Sequence, residues 1–479
     1  MVTGATGAFR FDGVPPGEYT VRVEADEYRI SGVLPSVKVT AGETAKDLRI
    51  LMQATASVSG RVFDENDEPL ANSTIEVLTL TESSNAPRMW MPFRGGQGIP
   101  AARPVQTDDL GRYRISGLEP GEYLIRLTPT EEQAKTLRYP ITFHPQATDA
   151  SEATKITASG GVENTNIDFH VLPNAVHVRG RFVLNDSQPL PSRLLLIPRS
   201  ATFLVEPPIN WARAVQRIGN DGFEIWGVAP GSYFLYALSN SGQRPEWVRV
   251  PVEVGSEDLS NVTVAVRPAA SVTIRVTADA GVTNADKLDI SSVSFLLTST
   301  EVLPFYPVGT RVSTNGEFKL TASEAVYFFR ALDLPEGWFL STIRQDARDV
   351  TASGWTTSPG KETKVDVIVS NAGGSISGVI KDRENRPVSA GRYILLPEPS
   401  LRANRPLITT GVASEQGLFK IDAVRPGEYT LIAFPDEDRY TPVFMRDLET
   451  VQQFERFGER ILVIAGQTTQ VTVTIPPIR

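Results

Sequence analysis

Apolar and polar residues alternate in short runs along most of the chain, and each run is bounded by turn-forming residues. The run at 471–475 places two valines and an isoleucine on one face and two threonines on the other. Alternation with a period of two is typical of a half-buried β-strand. The chain also contains 35 prolines and 37 glycines, which favour frequent turns. We therefore predict an all-β protein built from many short strands.

One short string, Pro-Gly-Glu-Tyr with close variants, recurs between two such runs. Its glycines are Gly17, Gly121, Gly231 and Gly427. They are 104, 110 and 196 residues apart, so one copy is expected inside the last interval. The string LPEGWF at 334–339, with Gly337 and Trp338, is the candidate for it. The sequence thus predicts five repeats, each long enough to be a domain.

The recurring string is predicted to connect two neighbouring strands. Its proline fixes φ, its glycine supplies a positive φ, and its aromatic residue returns to the core. Runs such as GRYRI at 111–115 precede it, and runs such as YLIRL at 123–127 follow it. A repeat then closes with a long alternating run that leads almost directly into the next repeat. About seven short strands per repeat indicate an antiparallel β-sandwich.

The predicted architecture is a tandem array of immunoglobulin-like or prealbumin-like antiparallel β-sandwiches. The predicted boundaries are 1–54 for a partial repeat, 55–174, 175–268, 269–371 for a divergent repeat, and 372–479. The first repeat begins at its GAFRF strand, at 7–11, and so lacks two strands of the unit. We expect a further region upstream, and the alternative is that a partner strand fills the gap by β-augmentation.

One short helix is predicted in the last repeat, within residues 447–460. The apolar side chains that fall near one helical face are Leu448, Val451, Phe454 and Phe457. Asp447 is a suitable N-cap and Gly458 a suitable C-terminal stop. A helix packed across the last sandwich is favoured over a groove for a cofactor or partner.

Composition and charge exclude several classes of protein. The net charge of −9 argues against nucleic acid or an anionic membrane as the main partner. The chain has no cysteine, which excludes disulfides and thiolate metal sites. No apolar run is long enough for a transmembrane segment. The given sequence contains no signal peptide.

No motif of enzyme chemistry is present. The three histidines are His144, His170 and His177, and in a continuous strand the last two would lie on opposite faces, so a shared metal is not expected. The nucleophile elbow, the phosphate loop and helical zinc spacing are all absent. We predict a non-enzyme with no cofactor and no metal. The turn carboxylates are Asp64, Glu65, Asp67, Glu68, Asp108 and Asp109; they could bind Ca²⁺, but ordinary turn formation is favoured.

Long segments follow the second strand of the repeats, at 81–106, 199–216, 299–310 and 397–411. Three of them carry aromatic residues, and loops of this length are often functional. The candidate ligand-binding residues are Trp90, Phe93, Phe203, Trp211, Phe305 and Tyr306. Aromatic faces beside polar groups suit sugar rings or peptides. The alternative, that these rings cover their own or a neighbouring sandwich, is favoured.

The repeat resembles a known family. The strings SGRVFD (59–64), GRYRISGLEPGEYLIRL (111–127) and NIDF (166–169) are similar to those of the carboxypeptidase regulatory-like domain. This family has a prealbumin-like, or transthyretin-like, β-sandwich and is related to B-type repeats of collagen adhesins and to carbohydrate-binding-like folds. The resemblance is strong in repeats 2 and 5 and weak in repeat 4. It implies a non-catalytic module that is often found in bacterial exported and cell-envelope proteins.

The resulting functional expectation is a non-catalytic scaffold or binding protein with an extracellular, periplasmic or outer-surface location. Its expected partner is a glycan or an envelope protein, bound through the aromatic loops. Two alternatives stay open: an accessory segment of a larger exported peptidase or TonB-dependent receptor, and a purely structural stalk. The sequence leaves the oligomeric state undecided.

Overall fold

The protein is almost entirely β-sheet in its computed structural model, which confirms the predicted fold class. The structure describes residues 3–476 except residues 5, 22, 24–27, 31–35, 47, 84–85, 94–102, 185–188, 202–203, 206–214, 240–245, 280–281, 283–287, 304–308 and 437–450. None of the helices in this described part of the chain has the length and apolar character needed to cross a lipid bilayer.

The partial first repeat contains four short strands. They are β1 (Gly17–Thr20), β2 (Tyr28–Ile30), β3 (Ser36–Val39) and β4 (Met52–Ala54). β1 pairs with β3 and β2 with β4, both antiparallel, so the described residues form two small, separate sheets.

Sandwich 2 consists of the next ten strands and one helix. They are β5 (Ala56–Phe63), β6 (Thr74–Ser83), β7 (Ala86–Pro92), β8 (Val105–Gln106), β9 (Arg112–Leu118), β10 (Gly121–Thr128), α1 (Glu131–Lys135), β11 (Thr142–Phe143), β12 (Ile156–Ala158), β13 (Glu163–Asn164) and β14 (Phe169–His170). One sheet is built around β6 and β10, and the other around β5 and β9. Side chains from both sheets, such as Val58 and Ile125, form the core between them.

Sandwich 3 contains eight strands. They are β15 (Val176–Val183), β16 (Arg193–Pro198), β17 (Leu204–Val205), β18 (Val215–Ile218), β19 (Gly222–Val228), β20 (Gly231–Ser239), β21 (Glu246–Val254) and β22 (Leu259–Ala265). Its two sheets have the orders β18-β19-β15-β22 and β16-β20-β21. β17 belongs to neither, because it pairs in parallel with β7 and extends a sheet of sandwich 2.

Sandwich 4 contains nine strands. They are β23 (Ala270–Ala278), β24 (Ser294–Thr298), β25 (Gly309–Arg311), β26 (Glu317–Ala322), β27 (Val326–Asp333), β28 (Phe339–Gln345), β29 (Arg348–Asp349), β30 (Trp355–Thr356) and β31 (Glu362–Ser370), with a 3-10 helix at Ile290–Ser292. Its sheets have the orders β26-β23-β31-β28-β29 and β25-β24-β27-β30.

Sandwich 5 contains seven strands. They are β32 (Gly374–Lys381), β33 (Arg392–Pro397), β34 (Thr409–Val412), β35 (Leu418–Val424), β36 (Gly427–Phe434), β37 (Glu459–Val463) and β38 (Thr468–Thr474), with 3-10 helices at Pro399–Leu401, Arg405–Leu407 and Glu455–Phe457. Its sheets have the orders β35-β32-β38 and β34-β33-β36-β37.

Each complete sandwich contains parallel pairing besides its antiparallel pairs, and in sandwich 2 both β13 and β14 pair in parallel with β5. The first strand pairs in parallel with the last, as β15 does with β22, β23 with β31 and β32 with β38. The alternation of side chains predicted antiparallel strands and gave no sign of this pairing. The parallel pair places the end of one sandwich beside its own beginning, and the chain then enters the next sandwich after a short connection.

The recurring Pro-Gly-Glu-Tyr turn carries the chain from one sheet of a sandwich to the other. In sandwich 2 it joins β9, which pairs with β5, to β10, which pairs with β6. The tyrosine hydroxyl donates a hydrogen bond of 2.8–2.9 Å to the carbonyl four residues earlier, in the pairs Tyr19–Pro15, Tyr123–Glu119, Tyr233–Ala229 and Tyr429–Arg425. This is a tyrosine corner, and it explains why the string recurs once per repeat.

The glycine of this turn has the predicted positive φ in the last repeat and a different role in the others. Among the four turn glycines only Gly427 has a positive φ, at 151°, and in the second and third repeats the positive φ belongs to the residue four positions earlier, Gly117 at 81° and Gly227 at 67°. A Cβ placed on Gly231 would lie 3.2 Å from the ring of Tyr233. The glycine therefore leaves room for the tyrosine ring that packs back over the turn.

The fourth copy of the turn lies elsewhere than predicted. Tyr327 donates a 2.9 Å hydrogen bond to the carbonyl of Ser323, between β26 and β27. The string at 334–339, with Gly337, follows β27 and is not the equivalent turn. Ala325 occupies the position that is glycine in the other repeats. A prediction based on the spacing of the glycines therefore did not identify this turn.

The α-helix of sandwich 2 was not predicted, although it has a sequence signature. Thr130 accepts a hydrogen bond from the amide of Gln133, and the Gln133 side chain accepts one from the amide of Thr130. This capping box is written in the sequence as Thr-x-x-Gln. Its apolar content is small, and five residues are too few for a periodicity to be seen.

The helix predicted at 447–460 is only partly within the described residues. Asp447 and Leu448 lie outside them. Val451 is helical and fully buried, and the 3-10 helix Glu455–Phe457 follows. Gly458 ends it with a φ of −79°, not with a left-handed conformation. Phe454 packs edge-on against Phe434 of β36, so the described part of the segment covers the sandwich as expected.

The second sheet of each complete sandwich has a covered outer face. The segment with Ala147, Ala150 and Ala153 covers it in sandwich 2, and Val451 and Phe454 cover it in sandwich 5. In sandwich 3 the cover is sandwich 4, because Tyr236 and Trp247 join the core that continues to Val272. In sandwich 4, β27 contacts the 3-10 helix Arg405–Leu407 of sandwich 5. The sandwiches are therefore packed against one another.

Candidate functional site

Two of the predicted ligand-binding aromatics lie in the interior of sandwich 2. Trp90 is 2% exposed and packs with Leu78, Leu124 and Phe143 on the covered outer face. Phe93 is 7% exposed and meets the ring of Tyr123 edge-on at 5.5 Å. Their burial supports the alternative that these rings cover their own sandwich. The other four candidates, Phe203, Trp211, Phe305 and Tyr306, lie outside the described residues, so ligand binding through them stays a prediction.

The turn carboxylates are engaged by the backbone of their own turns. Asp64 Oδ1 accepts hydrogen bonds from the amides of Asn66 and Glu68, at 2.8 and 2.9 Å. Asp108 Oδ1 accepts from the amides of Leu110 and Arg112, at 2.9 and 2.8 Å. These contacts are those of ordinary turn formers. Among the described residues, no group of three or more histidine, aspartate and glutamate side chains is placed to hold a metal ion.

The histidines occupy three different environments. His144 Nδ1 is 2.9 Å from the carbonyl of Asp168, and burial lowers its pKa. His170 is stacked on Phe63, with ring centroids 5.3 Å apart. His170 ends β14, whereas His177 is in β15. The assumption of one continuous strand through both was therefore wrong.

A surface groove of about 680 Å³ crosses sandwich 2 where its last strand is interrupted. β13 ends at Asn164 and β14 begins at Phe169, so residues 165–168 leave the regular ladder with β5. The corresponding strand of sandwich 5, β38, pairs with β32 without interruption. The groove is a feature of sandwich 2 that the repeat pattern did not reveal.

Specific contacts hold the interruption open. Asp168 Oδ1 accepts a 2.7 Å hydrogen bond from the amide of Arg61, and the Tyr113 hydroxyl donates one of 2.5 Å to the carbonyl of Ile167. Burial raises the pKa of Tyr113, which keeps its hydroxyl a donor. A Cβ on Gly60 would lie 2.2 Å from the Ile167 carbonyl oxygen, and Gly180 and Gly378 meet the same close approach in sandwiches 3 and 5, so this glycine serves strand packing in all three. The hydrogen bonds of Asp168 and Tyr113 therefore fix the backbone that borders the groove.

Three arginines from adjacent strands line this groove. In the register of β5 and β9, Arg61 is directly opposite Arg112, and Ser59 is opposite Arg114. Arg114 forms an ion pair of 3.0 Å with Glu163. Within the described ranges, the guanidinium groups of Arg61 and Arg112 form no hydrogen bond or ion pair. The sequence strings SGRV and GRYRI contain these arginines, but only the register shows that they face each other.

The junction between sandwiches 2 and 3 combines charge and packing. Arg138 donates hydrogen bonds to both carboxylate oxygens of Asp258, at 2.7 and 3.3 Å, and Asp258 also accepts from the amide of His177. The Lys135 ammonium lies 4.3 Å from the ring centroid of Trp226. The hydrogen bond from Arg138 lowers the pKa of Asp258, with a further contribution from the His177 amide.

This junction is expected to weaken at acidic pH. The pKa of Asp258 is lowered in the folded state. The ionised carboxylate therefore stabilises the junction above the ordinary aspartate pKa of about 4, and this stabilisation is lost as the pH falls through the lowered pKa. Spin labels at Ser116→Cys and Ser256→Cys should give a narrow distance distribution at neutral pH and a broader one in acid. Asp258→Asn should broaden it at neutral pH. A distribution that is equally narrow for both proteins at both pH values would contradict this role.

Residues 57–168 match the family model of the carboxypeptidase regulatory-like domain. No curated protein matches the chain significantly. Solved structures similar to it include a streptococcal ancillary pilin, with 12% identity, a TM-score of 0.21, and coverage of 64% of this chain and all of that chain. The major pilin subunit of Bacillus cereus has 12% identity and a TM-score of 0.15, and the match covers 88% of this chain and 99% of the pilin. At such TM-scores no property of the pilins is transferred to this chain.

Proposed function

We propose that the chain is a non-catalytic scaffold located outside the cytoplasm, because residues 57–168 match the family model of the carboxypeptidase regulatory-like domain. Its sandwiches act together as a stiff spacer that holds attached or bound groups at fixed separations. The location is proposed from the setting in which this type of module is often found. The observation that carries the proposal is the continuous buried cluster between sandwiches 3 and 4.

This cluster uses both faces of one sheet. Along β20, Leu235 and Ala237 point into the core of sandwich 3, whereas Tyr236 and Leu238 point into the cluster shared with sandwich 4. An antiparallel sheet commonly has one solvated face, and here the part of the outer face around Tyr236, Leu238 and Trp247 is buried as well. Apolar surface of this kind is stabilised only while the two sandwiches stay together, so hinge motion at this junction is opposed.

Polar contacts fix the orientation of the same junction. The amide of Trp247 donates a 2.9 Å hydrogen bond to Ser323 Oγ, and the Tyr236 hydroxyl donates one of 3.3 Å to the carbonyl of Val302. Arg249 of β21 forms an ion pair with Glu301. Directional contacts around an apolar centre favour a single orientation.

Contacts at the other junctions also oppose hinge motion between sandwiches. β17 of sandwich 3 is a strand of a sandwich 2 sheet, and Asn404 of sandwich 5 is fully buried and donates a 2.8 Å hydrogen bond to the carbonyl of Thr351 in sandwich 4. Separating these sandwiches would break the strand pairing or leave a buried polar group without its hydrogen bond, and both cost free energy. A stiff array supports a spacer function better than a flexible chain of modules.

Double electron–electron resonance, which measures the distance between two spin labels, tests the proposal directly. The chain has no cysteine, so Ser256→Cys in sandwich 3 and Lys319→Cys in sandwich 4 give unique labelling sites. We expect one narrow distance distribution. A pair within sandwich 3, Ser256→Cys with Val183→Cys, provides the width that the labels alone produce. A distribution across the junction much broader than this control would overturn the spacer proposal.

A further inference from the structure

The position of Arg61 and Arg112 recurs in the other sandwiches with different residues. Sandwich 4 places Arg275 opposite Glu317 there, and sandwich 3 places Arg181 opposite Gly222. Sandwich 5 has the apolar pair Val379 and Leu418. Oppositely charged or apolar cross-strand pairs stabilise a sheet, and like charges directly opposite each other destabilise it. Among the four complete sandwiches, only sandwich 2 has the unfavourable pair.

The unfavourable pair coincides with the groove. Both arginines line it, and the interruption of the last strand gives their guanidinium groups an open space. The interruption is held by the Asp168 carboxylate and the Tyr113 hydroxyl, and the positive charge beside it comes from the side chains of Arg61 and Arg112. Groups that are costly in the fold and exposed in a shaped depression are typical of binding sites.

The lining defines the chemistry of a ligand. Two free guanidinium groups suit a carboxylate, which accepts hydrogen bonds in their planar geometry. Asp108 and Asp168 also line the groove, and each uses one oxygen for backbone amides. Their second oxygens form no hydrogen bond with described residues and can accept from hydroxyl groups. A ligand with one carboxylate beside several hydroxyls matches both halves of this lining.

We propose that the groove over residues 165–168 binds an acidic sugar unit of a polysaccharide, with its carboxylate between Arg61 and Arg112 and its hydroxyls on Asp108 and Asp168. This inference goes beyond the spacer function and does not use the aromatic loops. A polysaccharide is favoured because the groove is open and polar, which suits a solvated linear chain. The spacer test is independent of it, so either proposal can fail alone.

The test is titration calorimetry of the whole chain with oligogalacturonate. Arg61→Gln and Arg112→Gln should each weaken binding about tenfold to a hundredfold, since each removes a charge-assisted hydrogen bond. Arg112→Glu copies the pair of sandwich 4 and should abolish binding while raising the melting temperature of sandwich 2. Arg181→Gln, the matched position of sandwich 3, should leave binding unchanged.

Two further ligands separate the parts of the proposal. Methyl-esterified oligogalacturonate retains the hydroxyls without the charge, and a poly-glutamate peptide retains carboxylates without ring hydroxyls. Both should bind at least about tenfold more weakly than oligogalacturonate. The proposal is overturned if either binds equally well, if the wild-type chain does not bind oligogalacturonate, or if Arg112→Glu binds it as the wild type does.

Discussion

Replacing Arg126 by methionine is expected to destabilise sandwich 2 by about 3–5 kcal/mol. Arg126 and Glu76 face each other across β10 and β6, at 1% and 3% exposure, with a contact of 2.7 Å. The change leaves the Glu76 carboxylate buried without its partner. Removing one member of a buried ion pair costs more than the pair itself contributes, because an uncompensated charge then remains in the interior.

The position of this pair explains its burial. Both side chains lie on the outer face of their sheet, which the segment with Ala147, Ala150 and Ala153 covers. Phe143 of β11 is directly opposite Arg126 on its other side. Water therefore does not replace the missing partner at low cost.

Hydrogen exchange in the whole chain measures this effect locally. The amides of β6 and β10 in Arg126→Met should exchange much faster than in the wild type, whereas those of sandwich 5 should be unchanged. The matched control is Lys155→Met, which removes the exposed ion pair with Glu122 of the same strand at a cost of at most about 1 kcal/mol.

The double variant Arg126→Met with Glu76→Leu separates charge from packing. Replacement of both members by apolar residues is often neutral or stabilising, so exchange should return close to the wild-type rate. Exchange in the double variant that is as fast as in Arg126→Met would mean that packing, and not the stranded charge, dominates this site.

The fold was predictable because the repeat is local. Each tyrosine corner contains its donor and acceptor within five consecutive residues, as in Tyr123 and Glu119, and the flanking runs alternate. The fourth corner was misplaced because the prediction followed the glycine, whereas the tyrosine at 327 carries the hydrogen bond. Distance from the preceding Gly316 would have located it, because the other copies have the tyrosine 11 or 12 residues after the glycine that opens the strand.

The candidate site was not predictable in the same way. Arg61 and Arg112 are 51 residues apart in sequence, and they meet only through the register of β5 and β9. The interruption at 165–168 follows from contacts of Asp168 and Tyr113 with distant backbone groups. Aromatic residues such as Trp90 were predicted to bind a ligand because they are aromatic and lie in long segments. Whether such a residue is buried depends on which segment covers the sheet. Long-range placement therefore decides the site.

The contact between sandwiches 3 and 4 left a signal in the sequence that alternation alone does not explain. β20 reads Tyr-Phe-Leu-Tyr-Ala-Leu from 233 to 238, a continuous apolar run. Such a run indicates a strand buried on both faces. The corresponding run YLIRL in sandwich 2 contains Arg126, and its outer face carries the ion pair.

Replacing Tyr236 by alanine is expected to uncouple sandwiches 3 and 4. The side chain is 1% exposed and belongs to the shared cluster, so truncation should cost about 3–5 kcal/mol. The loss falls on the interface, because the adjacent Leu235 points the other way into the core of sandwich 3. In calorimetry, the wild-type sandwiches 3 and 4 should unfold in one transition, and Tyr236→Ala should divide it into two.

Leu235→Ala is the matched control for this prediction. It should cost a similar amount, about 2–5 kcal/mol, but should lower one joint transition without dividing it, because the interface is intact. Spin labels at Ser256→Cys and Lys319→Cys should show a broadened distance distribution with Tyr236→Ala and a narrow one with Leu235→Ala. If both variants gave the same single transition and the same narrow distribution, the shared cluster would not be what couples the two sandwiches.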